Sequence, residues 1–306
     1  MKMPFYRAPF VIIVLSALAG ASLRAQSPAE HQIDWPQKVT VTVGDIRTRI
    51  DGPKLWTLSG IDFQDHMMAS EESAYGTAFT IRGVGHLGTA HFLDVPGRPG
   101  EIEKENVTSL KFFVDGKPVT DLTRTMELDG KSFRLERTSK IRGFDLQSSV
   151  SLRDDVLIET ARIQAEQPMD LQKAHALMYA WTPAATVGLF GNEAGIQRRA
   201  TFLKEGTTVA EVIKDMDWAA VFDPSAGKGS VFVLLKKPAN DDVEFLLVDS
   251  PGLYRKVALY SLVDQVVPVG WEGTYQSAVG FFTATETDWE QKALQRLSEL
   301  RAYGAK

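Results

Sequence analysis

The sequence predicts an all-β fold: a large antiparallel β-sandwich or supersandwich with one C-terminal helix. Three observations predict it. Apolar residues beyond position 37 recur mainly with period two. Turn residues divide them into a dozen or more short stretches, and no helical segments alternate with these as a βαβ fold would require.

The elements follow in order. Lys38–Val43 alternates, Gly44-Asp45 turns the chain into Ile46–Ile50, and Asp51-Gly52-Pro53 ends that piece. Thr77–Arg82 and Ser109–Val114 read as strands. Asp115-Gly116 predicts a tight hairpin into Pro118–Leu122, and Asp129-Gly130 predicts another between Thr125–Leu128 and Ser132–Ile141. Asp145–Leu152, Val156–Ala165, Leu171–Trp181, Thr207–Ile213, Trp218–Phe222, Ser230–Lys236, Val243–Val248, Lys256–Val263 and Tyr275–Ala284 complete the strands. Pro183–Gly195 and Asp223–Gly229 read as loops. The helix is expected over 287–302. Thr287 and Glu290 fit a capping box, Trp289, Ala293, Leu297 and Leu300 recur at helical spacing, and Leu294 widens the stripe.

The N-terminus follows a different logic. Lys2 and Arg7 precede an apolar run, Phe10–Leu18, interrupted by Ser16, and small residues follow at Ala19–Ser22. Charged, apolar and small-residue regions in that order predict a secretory signal over 1–25. The apolar run is shorter than the roughly 20 residues a bilayer span needs. Cleavage after Ala25 starts the mature chain at Gln26, with a single β-sandwich domain over 26–306, while Ala19-Gly20-Ala21 offers an alternative ending before Ser22. No later segment is apolar enough to span a membrane as a helix, so a periplasmic or secreted protein is expected.

Composition narrows the function. The chain carries −5, and losing three basic and no acidic residues with the signal lowers this to −8. That balance argues against nucleic acid as a partner, which basic surface would have to hold. The cysteine count of zero excludes disulfides, thiolate metal sites and a cysteine nucleophile. No P-loop, Gly-x-Ser-x-Gly elbow or His-Glu-x-x-His occurs.

The stretch Lys111–Trp181, with its Val114-Asp115-Gly116-Lys117 hairpin and successive long strands, resembles the galactose mutarotase-like supersandwich of many carbohydrate-active proteins. The resemblance lies in strand rhythm rather than in a diagnostic motif. It implies a carbohydrate partner and carries over no catalytic residue.

The residues themselves offer several candidates. Gly83-Val84-Gly85-His86-Leu87-Gly88 spells a dinucleotide fingerprint, but no βαβ unit surrounds it. With His91 it reads as a tight glycine loop presenting imidazoles, which transfer protons near neutral pH. In Leu171–Trp181, strict alternation places Lys173, His175, Leu177, Tyr179 and Trp181 on one face, a possible cleft wall. Asp62, Asp65 and His66 form a weaker cluster on an expected loop. Trp56, Trp271 and Tyr275 lie beside turn signals and suit sugar stacking or ordinary core packing. The face Arg134, Glu136, Thr138, Lys140 and Arg142 is the wet side of a strand or, on a concave sheet, a site for an acidic sugar.

Two readings from different classes result. One is a polysaccharide lyase or glycoside hydrolase. In elimination His175 or His86 would be the base, Tyr179 the acid, and Arg134 or Arg142 the charge neutraliser, with His91 and Trp181 holding substrate. The other is a non-catalytic glycan-binding or envelope protein. No cofactor or metal ligand set is read from the sequence. Intact-mass or N-terminal sequencing of the exported protein checks the processing expectation. A start near Gln26 or Ser22 is expected, and a retained Met1 refutes it.

Overall fold

A computed structural model describes residues 35–69, 76–88 and 103–304. His31, His91 and both expected cleavage sites lie outside the described residues. In chain order the strands are β1 (Lys38–Val43), β2 (Ile46–Asp51), β3 (Thr57–Phe63), β4 (His66–Ala69), β5 (Ala78–Ile81), β6 (Gly85–Gly88), β7 (Glu103–Lys104) and β8 (Asn106–Val114). Then come β9 (Lys117–Pro118), β10 (Thr125–Gly130), β11 (Ser132–Ile141), β12 (Phe144–Arg153), β13 (Val156–Ala165), β14 (Met169–Trp181), β15 (Val187–Asn192) and β16 (Gly195–Thr201). The last are β17 (Val209–Ile213), β18 (Trp218–Asp223), β19 (Lys228–Lys236), β20 (Glu244–Ser250), β21 (Tyr254–Ser261), β22 (Gln265–Val267) and β23 (Glu272–Thr283), before helix α1 (Trp289–Gly304).

These strands form two sheets. The larger has 13 strands along the path β10-β1-β2-β3-β4-β14-β21-β20-β17, with β5, β6, β7 and β22 attached beside β14. The smaller has ten strands ordered β16-β15-β18-β19-β23-β13-β12-β11-β8-β9. Apart from β1/β10 and β6/β7, the pairings are antiparallel. The all-β sandwich expectation therefore holds.

Alternating side chains from each sheet meet in one core. Three phenylalanine pairs cross it: Phe79 with Phe144 at 4.3 Å, Phe63 with Phe281 at 5.5 Å, and Phe245 with Phe232 at 5.5 Å between ring centroids. The outer face of the ten-stranded sheet is covered by α1. Ala293, Leu297 and Leu300 pack there with Trp218 and Phe282, and Trp289 stacks on Phe222 at 5.4 Å. Coverage on both sides explains why β18 is buried along its whole length.

Several local expectations are corrected. Asp115-Gly116 does form a two-residue hairpin, both residues having positive φ, but the strand it leads into is only Lys117–Pro118. Asp129-Gly130 is no hairpin: β10 pairs in parallel with β1 in one sheet and β11 belongs to the other, so the chain crosses between sheets there. Pro183–Gly195 contains β15, and the Asp62–His66 region is the β3–β4 hairpin. The helix begins at Trp289. Asp288 accepts hydrogen bonds from the Thr285 N–H and hydroxyl at 2.7 Å each, while Glu290 pairs with Arg199 instead of closing a capping box. Leu294 stays on the exposed side.

Polar groups inside the sandwich are tied together. The Arg137 guanidinium donates to the Leu55 carbonyl at 2.8 Å and pairs with buried Glu105 at 3.1 Å. Arg255 pairs with Asp249 at 2.5 Å and donates to the Ala185 and Leu203 carbonyls. The Tyr179 hydroxyl donates to Glu159 at 3.1 Å and lies 2.8 Å from the Ser277 hydroxyl. Burial pushes the Glu159 carboxyl up to about 7, against the lowering influence of Tyr179 and Arg137.

This last shift has a sign. The carboxyl titrates near 4.5 when unperturbed and near 7 when folded, so the native state holds the proton more tightly. Its contribution to stability is fully present below the lower value, declines as pH rises between the two, and is lost above 7. Glu159→Gln should remove that slope, gaining on the order of 3 kcal/mol relative to wild type between acid and mildly alkaline pH. Urea midpoints of both proteins across the range check this, and parallel curves refute it.

Candidate functional site

The site is built around β14, and two irregularities in that strand decide which side chains reach it. In the pairing with β5, Leu171 is opposite Ile81 and Lys173 is opposite Thr80, so Gln172 is an extra residue. In the pairing with β21, His175 is opposite Tyr260 and Met178 is opposite Ala258, which inserts a second extra residue. Each bulge reverses the alternation. Leu171 faces the core, Lys173 and His175 turn outward, and Tyr179 and Trp181 turn inward again.

The contacts agree with this. Phe79 on β5 reaches the other sheet at Phe144, so its neighbours Ala78 and Thr80 face outward. Thr80 is opposite both Lys173 on β14 and His86 on β6. Tyr260 is opposite His175, and their rings meet edge-on at 5.1 Å. The Lys173 ammonium lies 4.9 Å from the centre of the Tyr260 ring. Farther along β21, the Lys256 ammonium lies 4.8 Å from the Tyr254 ring, and burial pushes that amine down to about 8. His86, Thr80, Lys173, His175 and Tyr260 thus share the outer face of the thirteen-stranded sheet.

Exposure differs among them. His86 is exposed, Lys173 and Tyr260 are half-buried, and His175 is only 8% exposed. The Thr80 hydroxyl lies 2.8 Å from His86 Nδ1 and orients that ring. The glycines around His86 build a hairpin. Gly83 and Gly85 have φ of 74° and 110°, and a Cβ on Gly88 would come within 2.8 Å of the Ala78 Cα. By strand spacing, His86 and Lys173 are about 10 Å apart at Cα, two strands away from each other.

The other candidates lie elsewhere. Tyr179 is 1% exposed and Trp181 3%, both in the intersheet core, so neither borders a cleft with His175. Arg134 lies on the ten-stranded sheet, on the far side of the sandwich, whereas Arg142 sits in the β11–β12 turn and reaches β7, at the edge of the thirteen-stranded sheet. Arg134 sits over Phe113 and pairs with Glu136 at 3.0 Å, and Arg142, at a turn with φ of 27°, pairs with Glu103 at 2.5 Å. Asp62 pairs with Arg49 rather than His66, whose Nε2 is 3.1 Å from the buried Asp223 carboxylate. Trp56 donates to the Pro36 carbonyl and packs on Trp35, while Tyr275 donates to buried Asp241 at 2.6 Å. Among the described residues, no three His, Asp or Glu side chains gather as metal ligands, and no helix is long and apolar enough to cross a membrane.

Tyr260 was not singled out by the sequence, because only the bulges bring β14 and β21 into this register. The Lys256–Val263 stretch does place Tyr260 opposite its apolar positions, the one signal that pointed to it.

No family model matches the sequence, and no curated protein is similar to it. Solved structures similar to it include a putative aldose 1-epimerase from Escherichia coli K12, at 10% identity and a TM-score of 0.48, covering 80% of this chain and 99% of that one. A galactose mutarotase-like protein from Clostridium acetobutylicum is similar at 8% identity and a TM-score of 0.47, covering 79% and 94%. An alpha-galactosidase from Lactobacillus brevis is similar at 10% identity and a TM-score of 0.49, covering 83% of this chain and 40% of that one.

The two tyrosines of this region should respond differently to truncation. Tyr179→Ala opens the core and leaves Glu159 and Ser277 short of a partner, at a cost of about 3–5 kcal/mol. Tyr260→Ala, on the outer face, should cost about 1 kcal/mol or less. Denaturant unfolding of both variants checks the assignment of faces, and equal losses refute it.

Proposed function

We propose that this protein is exported and carbohydrate-active, and that it takes an oligosaccharide across the outer face of its thirteen-stranded sheet. The observation that carries this reading is the grouping of His86, Lys173 and Tyr260 on one face of strands whose other face is core. A tyrosine ring offers a flat apolar surface with a polar edge, as a pyranose requires. His86 is the proton-transfer group, oriented by Thr80, and His175 is a positioning residue that buttresses the Tyr260 ring. The N-terminal charge and hydropathy pattern supports the export part of the reading.

Hydrolysis would use two carboxylates about 5–10 Å apart. The acids near this face are engaged otherwise: Asp170 and Asp264 with Arg82 at 3.3 and 2.8 Å, and Glu244 with Lys214 at 2.9 Å. Proton transfer by imidazole and phenol, as in a lyase, suits the face better. Tyr260 takes the part that strict alternation assigned to Tyr179.

A thermal-shift panel of oligosaccharides and nucleotides tests the reading. A saccharide at a hundredfold excess over Kd should add about 2.7 kcal/mol to apparent stability. His86→Ala should then lower turnover of that saccharide by about 10²–10⁴-fold with little change in unfolding temperature. Retained binding without turnover in the wild type makes the protein a glycan binder. Silence toward all glycans, with a response to nucleotides, overturns the proposal.

A further inference from the structure

Lys173 is aimed onto this face by the chain itself. Without the extra residue at Gln172, the two-residue period would set Lys173 on the same side as Leu171, inside the core. The bulge turns it out between Thr80 and Tyr260. Bulges that re-aim a side chain beside a site are kept as features of a fold rather than tolerated as defects.

Once there, Lys173 is not neutralised by a carboxylate. Among the described residues it forms no ion pair, and its ammonium lies 4.9 Å from the centre of the Tyr260 ring. Acids are close by, but each holds another cation. Glu244, opposite Tyr260 on β20, pairs with Lys214, and Asp170 and Asp264 share Arg82. With those acids engaged, the half-buried Lys173 ammonium over the Tyr260 ring is a positive charge that no carboxylate among the described residues pairs with. The ring's electron-rich face offsets part of its desolvation. An anionic ligand would offset the rest.

We propose that Lys173 is a specificity-determining residue that makes this face a site for acidic sugars, its ammonium receiving the carboxylate or sulfate of an anionic oligosaccharide. This rests on the reading that the face takes a saccharide, and it names the class of saccharide. Stacking of the neighbouring sugar ring on Tyr260 would place the anionic substituent beside the ammonium already held over that ring.

The test compares each acidic oligosaccharide with its own neutralised form by calorimetric titration. Oligogalacturonate is set against its methyl ester, and a chondroitin sulfate oligosaccharide against its desulfated form; the two pairs distinguish carboxylate from sulfate. Wild type should bind at least one acidic form about tenfold or more tightly than its neutral partner, a preference that shrinks as salt rises. Lys173→Met should abolish the preference between acidic and neutral forms, and Lys173→Arg should restore most of it. Equal affinity for acidic and neutral forms, or a preference that survives Lys173→Met, overturns the inference and leaves the saccharide site standing. Absence of binding by any glycan, acidic or neutral, removes the site and the inference together.

Discussion

Strand β14 carries the constraint on which the large sheet depends. Along one edge it hydrogen-bonds β4 and β5, and along the other β21 and β22. Everything from β1 to β7 lies to one side of it, and β17, β20 and β21 to the other. A single strand of 13 residues cannot keep one register with four neighbours that arrive at different twists. The two extra residues absorb the mismatch. They also decide the chemistry of both faces, because each one swaps the side chains that follow from core to surface.

The same economy governs the interior. With no disulfide to hold them, the sheets rely on apolar contact, and the three phenylalanine pairs span the gap at intervals across it. Polar groups caught between the sheets are retained only in partnership. Arg137 holds Glu105 and the Leu55 carbonyl, and Arg255 holds Asp249 and two loop carbonyls. Removing one member of such a pair leaves a charge that the apolar surroundings cannot solvate, so each pair fixes the loop it touches more firmly than its modest net energy suggests.

Much of this was legible in the sequence, and what was not has definite causes. Period-two alternation located β12, β13, β18, β19 and β23 to within a few residues, because apolar residues fill most of their inner positions and single polar ones such as Ser148, Glu159 and Ser277 do not break the rhythm. It missed β3 and β15, whose Ser59-Gly60 and Gly188 interrupt the pattern. It read Asp129-Gly130 as a hairpin because turn chemistry is local, whereas the choice of partner strand is not. The site was affected most by the bulges. Alternation counted straight through Leu171–Trp181 grouped His175 with Tyr179 and Trp181, whereas the inserted residues join it to Lys173 and Tyr260. Charge patterning drew attention to Arg134 and Arg142, and no local signal reveals that the strand carrying Arg134 belongs to the opposite sheet, or that Arg142 lies in the turn beyond it.

The place of β23 has a consequence for how the chain is made. This strand lies in the middle of the ten-stranded sheet, between β13 and β19, although it is the last strand in sequence. Until it arrives, the sheet consists of two separate ribbons, β9-β8-β11-β12-β13 and β16-β15-β18-β19, each with a long unpaired edge where Val156–Gln164 and Lys228–Lys236 will later be joined. The β13 border stays open from its completion at Ala165, and the β19 border from Lys236, until β23 follows, and pairing between distant segments is slow to begin with. Pairing of either border with another chain is the hazard that this strand order builds in.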